Sequence, residues 1–302
     1  MDLAQLTQAL SVAVQGLANA VALLGSVRGG GAPATSSPMQ AACGMSTMTA
    51  PSPAQESPIQ QAPERAPMNA SGEWKIGSFN VLGASHTSAS GNSPELASGA
   101  QRTPGMISYL KKYDVDVVGL QEFQPSQQDA FRAAKSGYSM HGDKDNVIAW
   151  KSDKYQLVSS RSIKVPYFEG KERDMPVVQL EEKATGKRAW FINVHNPADT
   201  ANHHGQQGYR TEAMKREREL VTQLRASGLP VFIVGDFNER GEARSTMTAG
   251  NLLTASDPKS GQEGIDWVFG TGPVRFTGNV IDQDPKRQKV SDHPIVVATA
   301  QV

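Results

Sequence analysis

Five apolar runs between residues 73 and 302 share one peculiarity, a polar side chain at one end that is costly to bury. The clearest is "VFIVGDFNER", residues 231–240. Val231 to Val234 are β-branched or aromatic and suit a strand buried on both faces. Gly235 frees the backbone, and Asp236 and Asn238 follow two residues apart, the spacing at which strand residues point to one side. "KIGSFN" ends in Asn80, "DVVGLQEF" carries Glu122 at its tail, and "WFINVHN" carries His195. "VSDHPIVV" begins with Asp292 and His293. Strand ends in a layered fold share one rim, where sites are built. The pattern therefore predicts a layered strand–helix architecture with its polar chemistry gathered at one edge.

Helical patterns separate these runs. "RTPGMISYLKKY", "PSQQDAFRAAKSG" and "YRTEAMKRERELVTQLRASG" read as helices, the last with alternating charge signs and a terminal glycine. Between the second and third lie the strand patterns "NVIAWKS", "YQLVSSRSIKV", "MPVVQLEEKATG" and "KRAWFINVHN", the last two joined by "ATGK" as a hairpin. "GIDWVFG" and "PIVVATAQV" complete the set. Mixed strands with a few helices predict two sheets packed face to face with helices outside.

The first 72 residues read differently. Leu3, Leu10, Leu17 and Leu24 repeat every seven residues, with Leu6, Ala13, Ala20 and Val27 between them. Residues 1–27 are expected to form an amphipathic helix, which either self-associates or docks at coiled-coil spacing or stands alone and frays. Residues 28–72 are rich in Gly, Ala, Ser, Pro and Gln and read as a flexible linker. The globular domain is expected over 73–302.

Charge and cysteine content narrow the chemistry. The 30 basic and 30 acidic residues cancel, so no overall field attracts a polyanion, although a local basic groove is compatible with that total. The one cysteine, Cys43, excludes a disulfide framework and a cysteine-rich zinc site. No uninterrupted apolar run reaches the roughly 18 residues of a membrane span, and the N-terminus lacks the basic n-region of a secretory signal. A soluble protein of unassigned compartment is expected. Carboxylates and amide oxygens without thiols suit Mg²⁺ or Mn²⁺, which keep several waters and bridge to phosphate.

The ordered series "SFNVLG", "LQEF", "INVHNP", "GDFNE", "IDWVF" and "SDHPIVV" resembles the endonuclease/exonuclease/phosphatase superfamily over nearly all of 73–302. The resemblance implies a four-layer α/β/β/α sandwich and metal-dependent hydrolysis of phosphoesters. It implies Asn80 and Glu122 as a metal-binding pair with Asp292 beside the metal, and Asp236 as the group that orients or deprotonates water. It implies Asn238 and His195 near phosphate, and His293 as the essential histidine, oriented by Asp266. Arg173, in "ERDMPVVQL", is implied as a phosphate contact. Taken singly, Asn80, Asn238 and Asp292 are also residues that turns favour. His86, His203 and His204 match no motif and are expected in solvated loops.

The first motif reads "SFNVLG", and no mid-chain tyrosine of the apurinic-site type is identifiable, nor is the inositol phosphatases' basic signature. A plainer, DNase-like nuclease with DNA as the preferred substrate is the expectation. Candidate backbone contacts are Lys144, Lys151, Arg210, Lys215, Arg216, Lys286, Arg287 and Lys289, with a charge-balanced helix face the preferred reading of Lys215 and Arg216. A phospholipid or small-molecule phosphodiesterase or phosphatase, for which "VPYFEG" is a small aromatic candidate, and an inactive binding module remain as alternatives.

Overall fold

The computed structural model describes residues 72–257 and 263–302. The expected heptad helix, and all but the last residue of the expected linker, lie outside the described residues. In chain order the elements are β1 (Glu73–Asn80), α1 (Gly99–Lys112), β2 (Val117–Gln121), α2 (Pro125–Ala133), β3 (Tyr138–Gly142), β4 (Val147–Lys151) and β5 (Tyr155–Pro166). They continue with β6 (Glu172–Glu182), β7 (Arg188–His195), α3 (Gln207–Arg225), β8 (Val231–Asp236), α4 (Gly241–Thr248) and β9 (Leu253–Ala255). The last are β10 (Asp266–Thr271), β11 (Arg275–Asp282), α5 (Asp284–Arg287) and β12 (Ile295–Gln301).

Among these residues the strands form two six-stranded sheets, in the orders β11-β12-β1-β2-β4-β3 and β5-β6-β7-β8-β10-β9. Both sheets follow one plan. A parallel pair occupies the centre, β1 with β2 in one sheet and β7 with β8 in the other, and antiparallel strands flank it. A helix bridges each parallel pair, α1 in the first and α3 in the second, as parallel neighbours require.

Three apolar cores give the layers. Trp74, Ile76, Val117, Phe191, Phe232 and Val234 meet between the sheets. Phe79, Leu110, Val118, Leu120 and Phe131 join the first sheet to α1 and α2. Ile192, Ile233, Met214, Val221 and Phe237 join the second to α3 and α4. Along β8 the four apolar residues alternate between the inner and outer cores, so the run reads as continuously apolar because both faces are covered. This is the four-layer α/β/β/α sandwich implied by the sequence.

Local differences have local causes. Helix α1 starts three residues before its periodic pattern because Ser98 and Gln101 form a reciprocal capping box. Strands β3, β9 and β11 are not evident in the sequence. β3 and β11 are edge strands with half-exposed or exposed patterns, β9 has three residues, and β11 carries a bulge at Phe276/Gly278. An edge strand that buries little carries little periodic signal.

Candidate active site

The two central parallel pairs deliver their carboxyl ends to one place. Asn80, at the end of β1, stands in register with Gln121, and Glu122 follows directly with a left-handed backbone at φ 57°. His195, at the end of β7, stands in register with Asp236 at the end of β8, and Asp266 opens β10 opposite Asp236. Gly235 is required there, because a Cβ would lie 2.1 Å from the Val194 carbonyl oxygen of the neighbouring strand.

At this rim the Asn80 amide joins the sheets. Asn80 Nδ2 donates to Glu122 Oε1 at 3.0 Å and to Asp236 Oδ2 at 3.2 Å, and Asn80 Oδ1 accepts from the Leu82 N–H at 3.1 Å. Glu122 Oε2 accepts from the Gly83 N–H at 2.8 Å and lies 3.1 Å from His86 Nε2. On the other side, His293 Nδ1 lies 3.0 Å from Asp266 Oδ2, and His293 Nε2 lies 3.8 Å from Asp236 Oδ2. His195 Nε2 approaches the same Asp236 oxygen at 3.8 Å, while its Nδ1 is buried without a partner. Asp236 Oδ2 is the meeting point of the cluster.

This crowding separates the titrations. Burial, then the charge of Asp266, raises the Asp236 carboxyl to about 7. Burial by itself would lower His293, but Asp266 and Asp236 outweigh it and raise the imidazolium to about 10. His195 moves the other way, because burial lowers it to about 3 and keeps the ring neutral. Burial works against the Glu122 charge, yet His86 and the Gly83 N–H outweigh it and hold the carboxyl well below the usual range. Two histidines on one carboxylate thus carry different charges at neutral pH.

A cleft of about 240 Å³ opens beside Glu122 and His195. Its wall is the tip of the β5–β6 hairpin. The Arg173 guanidinium lies 4.2 Å over the Tyr167 ring and pairs with Asp145, while Tyr167 meets His195 edge-on at 5.7 Å. Phe168 stacks on His203 at 4.2 Å, and His203 Nδ1 lies 2.9 Å from Glu169 Oε1. The aromatic pair of "VPYFEG" is therefore half-buried in the cleft wall.

Residues 77–293, more than two thirds of the chain, match the Endonuclease/Exonuclease/phosphatase family. The chain belongs to that family. No curated protein matches its sequence significantly. The fold is similar to that of a family protein from Bacteroides thetaiotaomicron, at 20% identity over 76% of this chain and 94% of that one, with a TM-score of 0.62. It is also similar to a B. thetaiotaomicron mannosyl-6-phosphatase (21% identity, 75% and 99% covered, TM-score 0.61). Humanized D. rerio TDP2 is a third likeness (20% identity, 77% and 100% covered, TM-score 0.60). Family members are hydrolases of phosphoester bonds and are generally dependent on a divalent metal.

The donor set of this chain fits such an ion. Oxygens of Glu122 and Asp236 converge on the Asn80 amide without sulfur, the chemistry of a hard cation. Asp236, Asp266 and His293 also offer ligand atoms within 4.8 Å of one another. There, however, His293 Nδ1 is already engaged by the Asp266 carboxylate at 3.0 Å. Glu122, which lines the open cleft, is the more suitable donor.

The sequence-derived residues fall into place unevenly. Asn238, left-handed at φ 50°, donates its backbone N–H to Asp236 Oδ1 at 2.9 Å and one amide hydrogen to the Asn196 carbonyl at 2.8 Å. Asp292 is exposed at the rim, near enough to His86 and His293 to raise both. Among the basic candidates, Arg210 is buried between Asp199 and Glu239, and Lys151 pairs with Asp114 and Asp116, so both serve the fold. Lys215 and Arg216 pair with Glu212 and Glu172 on a solvated face, as preferred. His86 and His203 are not solvated as expected: each is half-buried and paired with a carboxylate.

Arg102 gave no signal in sequence. Buried on α1, it donates to the carbonyls of Val81 at 2.7 Å, Leu82 at 2.5 Å and Val290 at 2.6 Å, which ties the loop after Asn80 to the loop before His293. Ser291 Oγ donates to the Asn80 carbonyl at 2.6 Å and closes the same junction.

Proposed function

We propose that this chain is a metal-dependent phosphodiesterase with DNA as its preferred substrate. The observation that carries the reading is the convergence on Asp236 of a carboxylate–amide pair from one side and a carboxylate-held imidazolium from the other. Hydrolysis of a phosphodiester needs an oriented water, neutralised charge at phosphorus and help for the leaving oxygen. Each need has a residue here.

Glu122 and Asn80 would hold a Mg²⁺ or Mn²⁺ ion with Asp292 at the rim, and when bound the ion supplies charge neutralisation at the phosphoryl oxygens. Asp236 accepts the proton of the attacking water, and its raised carboxyl is matched to that work near neutral pH. The Asn238 N–H fixes the Asp236 carboxylate, and its second amide hydrogen faces a phosphate oxygen. His293, protonated and backed by Asp266, donates to the phosphoryl group as charge develops. His195, neutral, donates a hydrogen bond on the leaving-group side. Arg173 in the cleft contacts a flanking phosphate.

Two features support DNA. Lys286, Arg287 and Lys289 stand just before His293, and Lys286 and Lys289 are exposed. A D. rerio TDP2 of similar fold is known in complex with single strand DNA product. One observation favours a second reading, a phosphomonoesterase: a guanidinium inside a small cleft suits a dianionic phosphate, and one neighbour is a mannosyl-6-phosphatase. Rates with Mg²⁺ on supercoiled plasmid, a single-stranded oligonucleotide, bis(4-nitrophenyl) phosphate and mannose 6-phosphate separate the two. The DNA reading expects the nucleic acids to lead by at least tenfold in kcat/KM. A lead by the monoester overturns it.

A further inference from the structure

The loop after β1 holds a histidine whose two ring nitrogens are both engaged. His86 lies in the single 3₁₀ turn Ala84–Thr87, half-buried beside Glu122. Its backbone N–H donates to the Gly83 carbonyl at 3.0 Å, and its own carbonyl accepts from the Ser93 N–H at 2.8 Å. Gly91 passes so close that a Cβ there would lie 2.1 Å from the His86 carbonyl oxygen. This fold-back brings Asn92 Oδ1 to accept from His86 Nδ1 at 2.8 Å. The other nitrogen, Nε2, faces Glu122 Oε2 at 3.1 Å, and both side chains line the open cleft.

With Nδ1 committed as the donor, a neutral ring keeps its lone pair on Nε2 and points it at a carboxylate oxygen. Two acceptors at that distance need a cation between them. A proton serves when no metal is bound, since the hydrogen bond with Glu122, opposed by burial, raises His86 to about 9. A metal ion fits the same gap. Two ligand atoms bound at right angles, each roughly 2.1 Å from an ion, stand roughly 3.0 Å apart. A metal-ligating imidazole characteristically donates its other N–H to a carbonyl or carboxylate oxygen, the part that Asn92 plays here. Asp292 also acts on the charge of His86, so both carboxylates assigned to the ion reach this ring.

We propose that His86 is a further ligand of the divalent ion, offering Nε2 beside the Glu122 carboxylate, and that this nitrogen makes the site select first-row transition ions over Mg²⁺. Imidazole nitrogen suits such ions, whereas Mg²⁺ takes oxygen ligands and keeps its waters. An ion on Glu122 neutralises the carboxylate that sustains the His86 proton, so that proton leaves as the metal binds. The inference rests on the metal-dependent reading of the site and adds one nitrogen to a donor set otherwise made of oxygens.

The test titrates the full chain and its His86→Gln variant with metal alone. Calorimetry gives Kd for Co²⁺ and for Mg²⁺, and electron spin-echo spectroscopy of the Mn²⁺ complex detects a directly bound nitrogen. The wild type is expected to show that nitrogen and H86Q to lose it. In H86Q the Kd for Co²⁺ is expected to rise at least about tenfold, while that for Mg²⁺ stays within about threefold. A bound Mn²⁺ without nitrogen in the wild type overturns the proposal, as does a nitrogen that persists in H86Q or an equal loss of both ions. If H86Q does not fold, the wild type decides: substoichiometric Mn²⁺ is expected to broaden the ring NMR signals of His86 before those of His195 and His293, and the reverse order overturns the proposal. A wild type that binds none of these ions overturns the metal-dependent reading and the proposal together. One that binds them through His86 yet hydrolyses no phosphoester supports the ligand and counts against the phosphoesterase reading alone.

Discussion

His293 reaches Asp266 with one ring nitrogen at 3.0 Å and faces Asp236 with the other at 3.8 Å, so a single imidazolium spans two carboxylates of neighbouring strands. Protonated His293 and ionised Asp236 are the working forms. Activity is therefore expected to rise as pH passes about 7, where Asp236 loses its proton, and to fall as pH passes about 10, where His293 does. Asp266→Asn removes the charge that sustains His293. The alkaline limb of the kcat/KM profile is expected to move down toward the ordinary histidine range, with a loss of roughly 10²-fold at neutral pH. An alkaline limb that stays in place contradicts the pairing.

Buried, neutral His195 sets an acid limit on stability. Its folded value, about 3, lies below the unfolded one, so its contribution is complete above the usual histidine range and is lost as pH falls from about 6.5 toward 3. Urea midpoints at pH 7.5 and pH 4.5 are expected to differ more for wild type than for His195→Asn. Equal differences would show that the imidazole is not the group responsible.

Between the sheets, Asn193 forms a polar brace. Its Nδ2 donates to the carbonyls of Leu120 and Val147, both at 2.9 Å, and its Oδ1 accepts from Gln121 Nε2 at 2.6 Å. Asn193→Leu removes these three buried hydrogen bonds and is expected to cost about 2–4 kcal/mol. Gly119→Ala places a Cβ 2.5 Å from both Asn193 Oδ1 and Val234 Cγ2 and is expected to cost about 1–3 kcal/mol. Urea denaturation with an unchanged m-value checks both.

DNA binding through the loop before His293 has a distinct signature. Lys286→Ala with Lys289→Ala is expected to raise KM for an oligonucleotide about fivefold to tenfold at low salt and to reduce the salt slope by up to about two. The rate on bis(4-nitrophenyl) phosphate is expected to stay within twofold. Equal losses on both substrates would place these lysines in the fold rather than the substrate path.

The layers and most of the site's members were legible because punctuation in the sequence is itself physical. Asn80, Glu122, His195 and Asp236 each interrupt an apolar run where a buried strand ends, and that interruption is visible without any partner. His86 and Arg102 were not legible. Both act through loops brought together from far along the chain. Arg210 misled for the same reason: a cation in sequence looks free until Asp199 and Glu239 are placed beside it. Edge strands β3 and β11 escaped because they bury too little to leave a period.

The most direct measurement is cleavage of a labelled oligonucleotide by wild type, Asp236→Asn and His293→Gln, each with Mg²⁺ and with EDTA. The expected result is metal-dependent cleavage by wild type, abolished by EDTA, and a loss of at least 10³-fold in each variant with the fold intact. Cleavage that survives EDTA, or variants within tenfold of wild type, would contradict a phosphoesterase centre built on Asp236 and His293.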